Sequence, residues 1–383
     1  VNERIRKLRK QSLEAENRIS AERAVLLSDF YKSSESGGRS VPVMRALSFK
    51  YILENKEIPV NRGELIVGER GPEPKATPTY PEVCLHTIED LEMIDNRKKV
   101  SFKADESVKE VYRKEIIPFW ENKSIRDIMF SSLPEEWKDS YKAGVFTEFL
   151  EQRAPGHTVL GSKLFKNGLN DIIGEIGEAQ KKLDLINDPD SFSKKEELTA
   201  MKISAEALIS YAARYADKLE DLAGTEENAS RKKELLEMSR ICRKVPAERP
   251  GTFHEALQHY WFLHLGVITE LNPWDSFNPG RLDQHLIGFF NEGINNGTLT
   301  EDSVRELLSS FWIKFNNHPA PPKMGVTARE SNTYTDFALI NVGGVKPDGS
   351  DGVNDLTYII LDVIEEMRIL QPSSMIQVSK KNP

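Results

Sequence analysis

Cysteine is almost missing from this chain: two thiols, Cys84 and Cys242, among 383 residues. That is too few for a disulfide framework or a four-thiolate zinc site. Cys242 falls inside a helical pattern, Met238-Ser239-Arg240-Ile241-Cys242, and reads as a small core residue. Cys84 has His86 two residues on, which hints at an activated thiol, but adjacency in sequence does not make a catalytic pair. An excess of positive charge is missing too. Lys and Arg number 52 against 60 Asp and Glu, a net charge of −8, which argues against nucleic acid or another polyanion as partner. No apolar run approaches the roughly 18 residues that span a bilayer. The first residues are charged and amphipathic, without the apolar core of a signal peptide. With 39% hydrophobic and 29% charged residues, the expectation is a cytoplasmic globular protein with ample core and no membrane contact.

The common catalytic fingerprints are absent as well. No Gly-x-Ser-x-Gly element occurs, which disfavours an α/β-hydrolase. Gly343-Gly344, Gly349 and Gly352 match neither a P-loop nor a dinucleotide fingerprint. Asp348 to Gly352 lacks the ligand spacing and terminal Glu of an EF-hand and reads as a turn before a helix. His254-Glu255-Ala256-Leu257-Gln258-His259 looks like a zinc motif but fails on spacing. Its histidines are five apart, about 140° around a helix, where a zinc pair needs four. His264 repeats the offset, so all three histidines are expected in structural or surface roles and no metal site is expected.

What the chain does have is helical periodicity. Residues 3–17 predict a surface helix. Ser20 is placed to cap a helix to about Lys32, and Pro42 suits the first turn of a helix from Val41 to Glu54. Thr87 with Asp90 opens a helix from Ile88, and another runs from about Ser107 to Trp120. Two long charged patterns, Ser193 to Leu222 and Thr225 to Val245, predict an α-hairpin packed on something larger. Thr252 opens a very apolar helix to about Thr269, and Thr300 to Asn316 is another with an apolar face. Three short apolar runs predict strands: Gly63 to Gly68, Phe337 to Val342 and Met375 to Ser379. The last two, with a helix from about Asn354 to Leu370 between them, predict a βαβ unit of buried strands. A chain that stops just past a parallel edge strand suggests part of a longer protein.

Three polar–aromatic loops interrupt the helices: Phe149 with Glu151 to Thr158, Asn272 to His285, and Glu330 to Phe337. Loops of this kind tend to line something. Asp275 could accept hydrogen bonds from an ammonium or hydroxyl, and Ser331 could donate to a carboxylate. Phe149, Trp274, Phe277 and Phe337 could exclude water, although Phe149 and Phe277 suit plain core equally well. His157 follows Pro155-Gly156 and could donate, accept or carry a proton.

These loops, together with Arg45 to Phe49, Gly63 to Glu69, Thr269 to His285, Lys314 to Asn317 and Thr333 to Gly344, resemble the N-terminal half of glycyl radical enzymes, the pyruvate formate-lyase superfamily. Within that family the chain looks most like the dehydratases that act on trans-4-hydroxy-L-proline. The resemblance covers residues 1–383 as the N-terminal part of one pyruvate formate-lyase-type domain. It implies a helix-rich α/β fold, half of a ten-stranded barrel wrapped by helices. It implies that Asp275 engages the polar groups of a small substrate, that Ser331 and the backbone N–H of Phe337 hold its carboxylate, and that Phe149, Trp274 and His157 shape the pocket. No bound cofactor is implied for this segment. The family's radical sits on a glycine near the C-terminus, installed by an activase that uses S-adenosylmethionine and an iron–sulfur cluster, and passes to a cysteine. Neither Cys84 nor Cys242 lies in the family's Gly-Cys-Val-Glu context and no glycyl-radical motif occurs, so no catalytic residue is expected in this segment. Expected partners are the substrate, the activase and a second copy of the chain. Two alternatives are another specificity, such as a diol dehydratase or a pyruvate formate-lyase-like enzyme, and a non-catalytic split-gene subunit that pairs with a radical-bearing chain.

Overall fold

About 60% of the chain is helical, and several helices begin where the sequence supplies an acceptor for their orphan N–H groups. Thr87 with Asp90, Thr300 with Ser303, and Asn354 with Thr357 form reciprocal capping boxes ahead of Ile88–Asn96, Glu301–Asn316 and Asp355–Met367. Thr252 caps Phe253–Glu270 through the N–H of Glu255. Ser20 ends a strand, and its Oγ still accepts from Glu22 N (3.4 Å), the first residue of the next helix, Glu22–Lys32, while Ala21 between them offers no side-chain cap. The helix expected from Ser107 to Trp120 is continuous but changes pitch, with a π-helical turn at Tyr112–Ile116. The computed structural model describes residues 2–33, 37–148, 150, 157–158, 161–271, 277–320, 322–330 and 338–383, with the side chains of 157, 158, 277 and 330 outside the description.

The Phe253–Glu270 helix is the centre of the main core. Fifteen of its 18 residues are buried, as expected of a helix that is apolar all round. Around it lie the 35-residue Ser191–Thr225 helix and its partner Ala229–Lys244, the expected hairpin, and then Glu301–Asn316 and Asp355–Met367. A second core gathers Leu27, Ile52, Leu91, Phe102, Tyr112 and Trp120. Among the described residues no helix is long and apolar enough to cross a membrane.

Among the described residues the strands are few and pair in parallel. β1 (Arg18–Ser20) pairs with β2 (Ala76–Pro78). β3 (His157–Thr158) pairs with β4 (Phe277–Asn278). After Pro279, which has no N–H to give a ladder, the chain continues as β5 (Gly280–Arg281), which pairs with β6 (Leu339–Gly343), and β6 pairs with β7 (Ser373–Gln377). β4 and β5 are thus one strand broken at a proline, and the row runs β3, β4/β5, β6, β7. The expected βαβ unit is present as β6, Asp355–Met367 and β7.

Two sequence expectations about strands need correction. Residues 63–69 form no strand, though Ile66 and Val67 are fully buried. Their backbone is satisfied by side chains instead. The Gln258 amide accepts from Val67 N (2.9 Å) and donates to Val67 O (3.0 Å). His254 Nε2 meets Leu65 O at 2.7 Å and Trp261 Nε1 donates to Gly68 O at 3.0 Å. These three residues follow one another on one helix face. Gly68 has φ +118°, and a Cβ there would lie 2.3 Å from Leu265 Cδ1, so only glycine allows this close approach. The second correction concerns β7. Its Met375 and Ile376 are 47% and 56% exposed, because β7 is the edge of the described row and nothing described covers that face.

Candidate functional site

The residues expected to line the pocket fall almost wholly outside the described residues. That applies to Phe149, Trp274, Asp275, Ser331 and Phe337, and to the side chains of His157 and Phe277. What the structure does describe is the frame that holds the ends of the three loops.

Each loop leads into a strand of the same parallel row. The first ends in β3, the second in β4 and the third in β6. His157 and Phe277 are opposite one another in register, and Gly280 stands opposite Ile340. Parallel neighbours point the same way, so His157, Phe277 and Ala338 enter the row from one end. The loop starts are also tied. Glu148 N donates to Thr327 Oγ1 (3.3 Å), and Thr327 Oγ1 donates to Glu148 O (3.0 Å). Arg126 holds Glu148 from the other side, Nε to Oε1 at 2.8 Å. The bounds of the first and third loops thus meet at their start, and all three meet at their end.

The second loop begins where Phe253–Glu270 stops. No glycine ends the helix; Leu271 simply turns extended. The last carbonyls are taken up by side chains from elsewhere. Ile268 O accepts from Tyr80 Oη and from Arg70 Nη2 (3.3 Å), and Thr269 O accepts from Arg23 Nε (2.7 Å). The Glu270 carboxylate takes Arg45 Nη2 at 2.5 Å. Burial pushes the Glu270 carboxyl up, against the pull of Arg23 and Arg45. Arg23 is itself buried and paired with Glu82 at 2.8 Å. Cations at a helix C-terminus suit its dipole. The sequence reading missed Arg23, Arg70 and Tyr80; nothing in their local pattern marks them.

Other residues prominent in the sequence prove structural. Asp283 accepts from Gly343 N (2.8 Å) and Thr357 Oγ1 (2.6 Å), while Gln284 Nε2 donates to Gly343 O (3.0 Å). The Arg281 to Gln284 stretch therefore pins the Leu282–Asn295 helix to the far end of β6. Glu64 and Glu69 meet Lys314 in a fully buried cluster, with Lys314 Nζ at 2.9 Å and 2.6 Å. Asn61, Asn317 and His318 also bond Glu69, at 2.9, 3.1 and 3.0 Å. Desolvation opposes ionisation of Glu69, but Lys314 and His318 outweigh it and hold its carboxyl down at about 2. Cys242 is buried among apolar residues, which pushes its thiol far up, and Cys84 packs beside Tyr80, Val83 and Met324. His254, His259 and His264 each meet a different partner, Leu65 O, Leu164 O and Tyr260 Oη, as their spacing suggests.

A cavity of about 990 Å³ lies away from these loops. It is an open cleft floored by Phe253, Phe289, Leu299 and Leu307 and rimmed by charges such as Glu292 and Lys233. None of the loop bounds lines it.

The match to known proteins decides the family. A family model described as pyruvate formate lyase-like covers residues 1–383. This chain belongs to the pyruvate formate lyase-like family. It is 51% identical to trans-4-hydroxy-L-proline dehydratase of Clostridioides difficile, over 100% of this chain and 48% of that protein. It is 30% identical to (2S)-3-sulfopropanediol dehydratase of Klebsiella oxytoca, over 99% of this chain and 46% of that one. Among solved structures, the C. difficile hydroxyproline dehydratase with trans-4-hydroxy-L-proline bound superposes at a TM-score of 0.95 over 100% of this chain and 48% of its own. The glycerol-bound B12-independent glycerol dehydratase of Clostridium butyricum does so at 0.91, with 31% identity and the same two coverages. The chain thus spans about half the length of the family members it matches. The helix-rich α/β expectation holds, as does the resemblance read from the loops.

Proposed function

We propose that this chain is the N-terminal share of a glycyl radical dehydratase whose substrate is trans-4-hydroxy-L-proline, which loses one water to give 1-pyrroline-5-carboxylate. The observation that carries this reading is the 51% identity along the whole chain to a dehydratase of that substrate, whose substrate-bound structure shares this fold at a TM-score of 0.95. The common frame of the three loop bounds supports it. The family's glycyl radical, installed by an activase that uses S-adenosylmethionine and an iron–sulfur cluster, supplies the one-electron chemistry through a cysteine. Cys84 and Cys242 are buried, and neither stands in the Gly-Cys-Val-Glu context of that cysteine.

The work assigned to this chain is binding and positioning. Ser331 and the N–H of Phe337 hold the substrate carboxylate with hydrogen bonds to a charged acceptor. Asp275 takes the ring ammonium or the departing hydroxyl. Phe149, Trp274 and His157 close the pocket and keep it dry, which strengthens each polar contact inside. The partners in this reading are the activase and a second copy of the chain, and the setting is the cytoplasm.

The test uses the full-length protein, activated without oxygen. Asp275→Asn keeps an acceptor but loses the charge. Charge-assisted bonds are about twice as strong as neutral ones, so turnover should fall by about 2 kcal/mol, some thirtyfold, with radical content by spin quantification unchanged. Unchanged turnover removes Asp275 from the site. Higher kcat/KM on glycerol or a sulfonated diol than on hydroxyproline replaces the substrate assignment.

A further inference from the structure

One segment, residues 79–90, touches the described bounds of all three loops. At the second loop, Tyr80 Oη donates to Ile268 O two residues before the helix ends. Its ring lies under Arg23, with Cζ 4.0 Å from the centroid, and near Arg70 at 5.8 Å. Both arginines bond the same helix end, through Thr269 O and Ile268 O, and Arg70 Nη2 also meets Tyr80 Oη at 3.0 Å. At the first loop, Tyr80, Val83 and Cys84 pack with Met324 and Leu150. At the third, His86 Nε2 meets Pro322 O at 3.1 Å and Asp90 Oδ1 accepts from Gly325 N at 2.8 Å. The segment's other end is fixed too: Glu82 O and Val83 O accept from the first N–H groups of Ile125–Ser131.

Burying two guanidinium groups is costly, and a helix end can be closed far more simply by a glycine. A glycine would leave the exit direction of the chain loose. The Arg23–Tyr80–Arg70 arrangement fixes it, since three donors of set geometry reach two consecutive carbonyls.

We propose that Tyr80, held between Arg23 and Arg70, is a positioning residue that fixes the C-terminal end of the Phe253–Glu270 helix and so the direction in which the chain leaves it toward Asp275, which follows five residues later in sequence. It acts through the helix end and does not itself touch substrate. This rests on the reading of Asp275 as a substrate contact. A misplacement of about 1 Å at a reacting group can cost far more rate than stability.

The experiment compares full-length wild type, Tyr80→Phe, Asp275→Asn and the double variant after anaerobic activation. Hydrogen exchange of peptides covering 265–285 is measured alongside. Tyr80→Phe keeps the ring and its stacking and removes one donor. The expected result is faster exchange in that peptide, radical content as in wild type, and kcat reduced roughly tenfold. The double variant should be little worse than Asp275→Asn alone. Unchanged exchange overturns the brace. Faster exchange with wild-type kcat, or fully multiplicative effects in the double variant, overturns positioning of Asp275 and leaves Tyr80 a structural residue. If Asp275→Asn is itself silent, the substrate reading fails, while the exchange data still decide whether Tyr80 holds the helix end. Arg70→Lys, which withdraws the second donor from Ile268 O, is read by the same measurements should Tyr80→Phe fold poorly.

Discussion

Residues 63–69 and β6 at 339–343 look alike in sequence: short apolar runs beside glycine. They end up completed in opposite ways. β6 finds backbone partners on both sides, β5 and β7. Residues 65–68 find His254, Gln258 and Trp261 of a helix, and Glu64 and Glu69 close around Lys314. A strand's hydrogen bonds survive most side-chain changes because they belong to the backbone. A run completed by side chains depends on particular residues 189 to 250 positions away. The second kind of construction should be the more fragile to single substitutions, and that difference can be measured.

Lys314→Met should have the largest effect. It leaves Glu64 and Glu69 buried together without their cation, and removing one partner of a buried pair typically costs about 3–5 kcal/mol. Urea unfolding should show a loss in that range; a loss under about 1 kcal/mol would mean that the two carboxyls simply take up a proton. Gln258→Leu comes next. It strips both the N–H and the C=O of Val67 of their partner, at about 1–3 kcal/mol for each buried group left unsatisfied. Amide exchange at Val67 should quicken while that of β6 stays slow. Quickened exchange in both places would show that the two runs are not independent.

The strand side should be milder. Ile340→Val in β6 removes one buried methyl and should cost about 0.5–1.5 kcal/mol, with the ladder intact. A loss as large as that of Gln258→Leu would erase the contrast between the two constructions.

At neutral pH the smallest effect is that of His259, which shows only as acid is added. His259 is buried beside the Leu164 carbonyl, and burial holds it down at about 4, below its ordinary 6.5. The unfolded chain therefore binds a proton between pH 6.5 and about 4 that the folded one refuses, and stability falls as pH falls through that window. His259→Gln keeps an N–H for Leu164 and should flatten the profile by at most about 1.4 kcal/mol per pH unit. The five other histidines with described side chains are also lowered, so a residual slope should remain. Parallel profiles for the two proteins would show that His259 takes up its proton in the folded state.

The helices were legible because their signals are local. Thr87, Thr252, Thr300 and Asn354 cap where they stand, and the apolar stripe of Glu301–Asn316 is written in its own periodicity. The resemblance of three segments to one family was legible in their residues. Ser20 reaches Glu22 N as a cap does, but a cap signal does not tell that a strand ends on the same residue. Residues 63–69 misled for a related reason. The sequence determined that this run is short, apolar and bounded by glycines. Only the tertiary structure decided that its partners are side chains, because a hydrogen-bond partner is a fact about what lies alongside and not about the run itself. The same holds for Arg23, Arg70 and Tyr80. Their residue types were plain, but a common helix end for three residues spread over positions 23 to 80 exists only once the chain has folded.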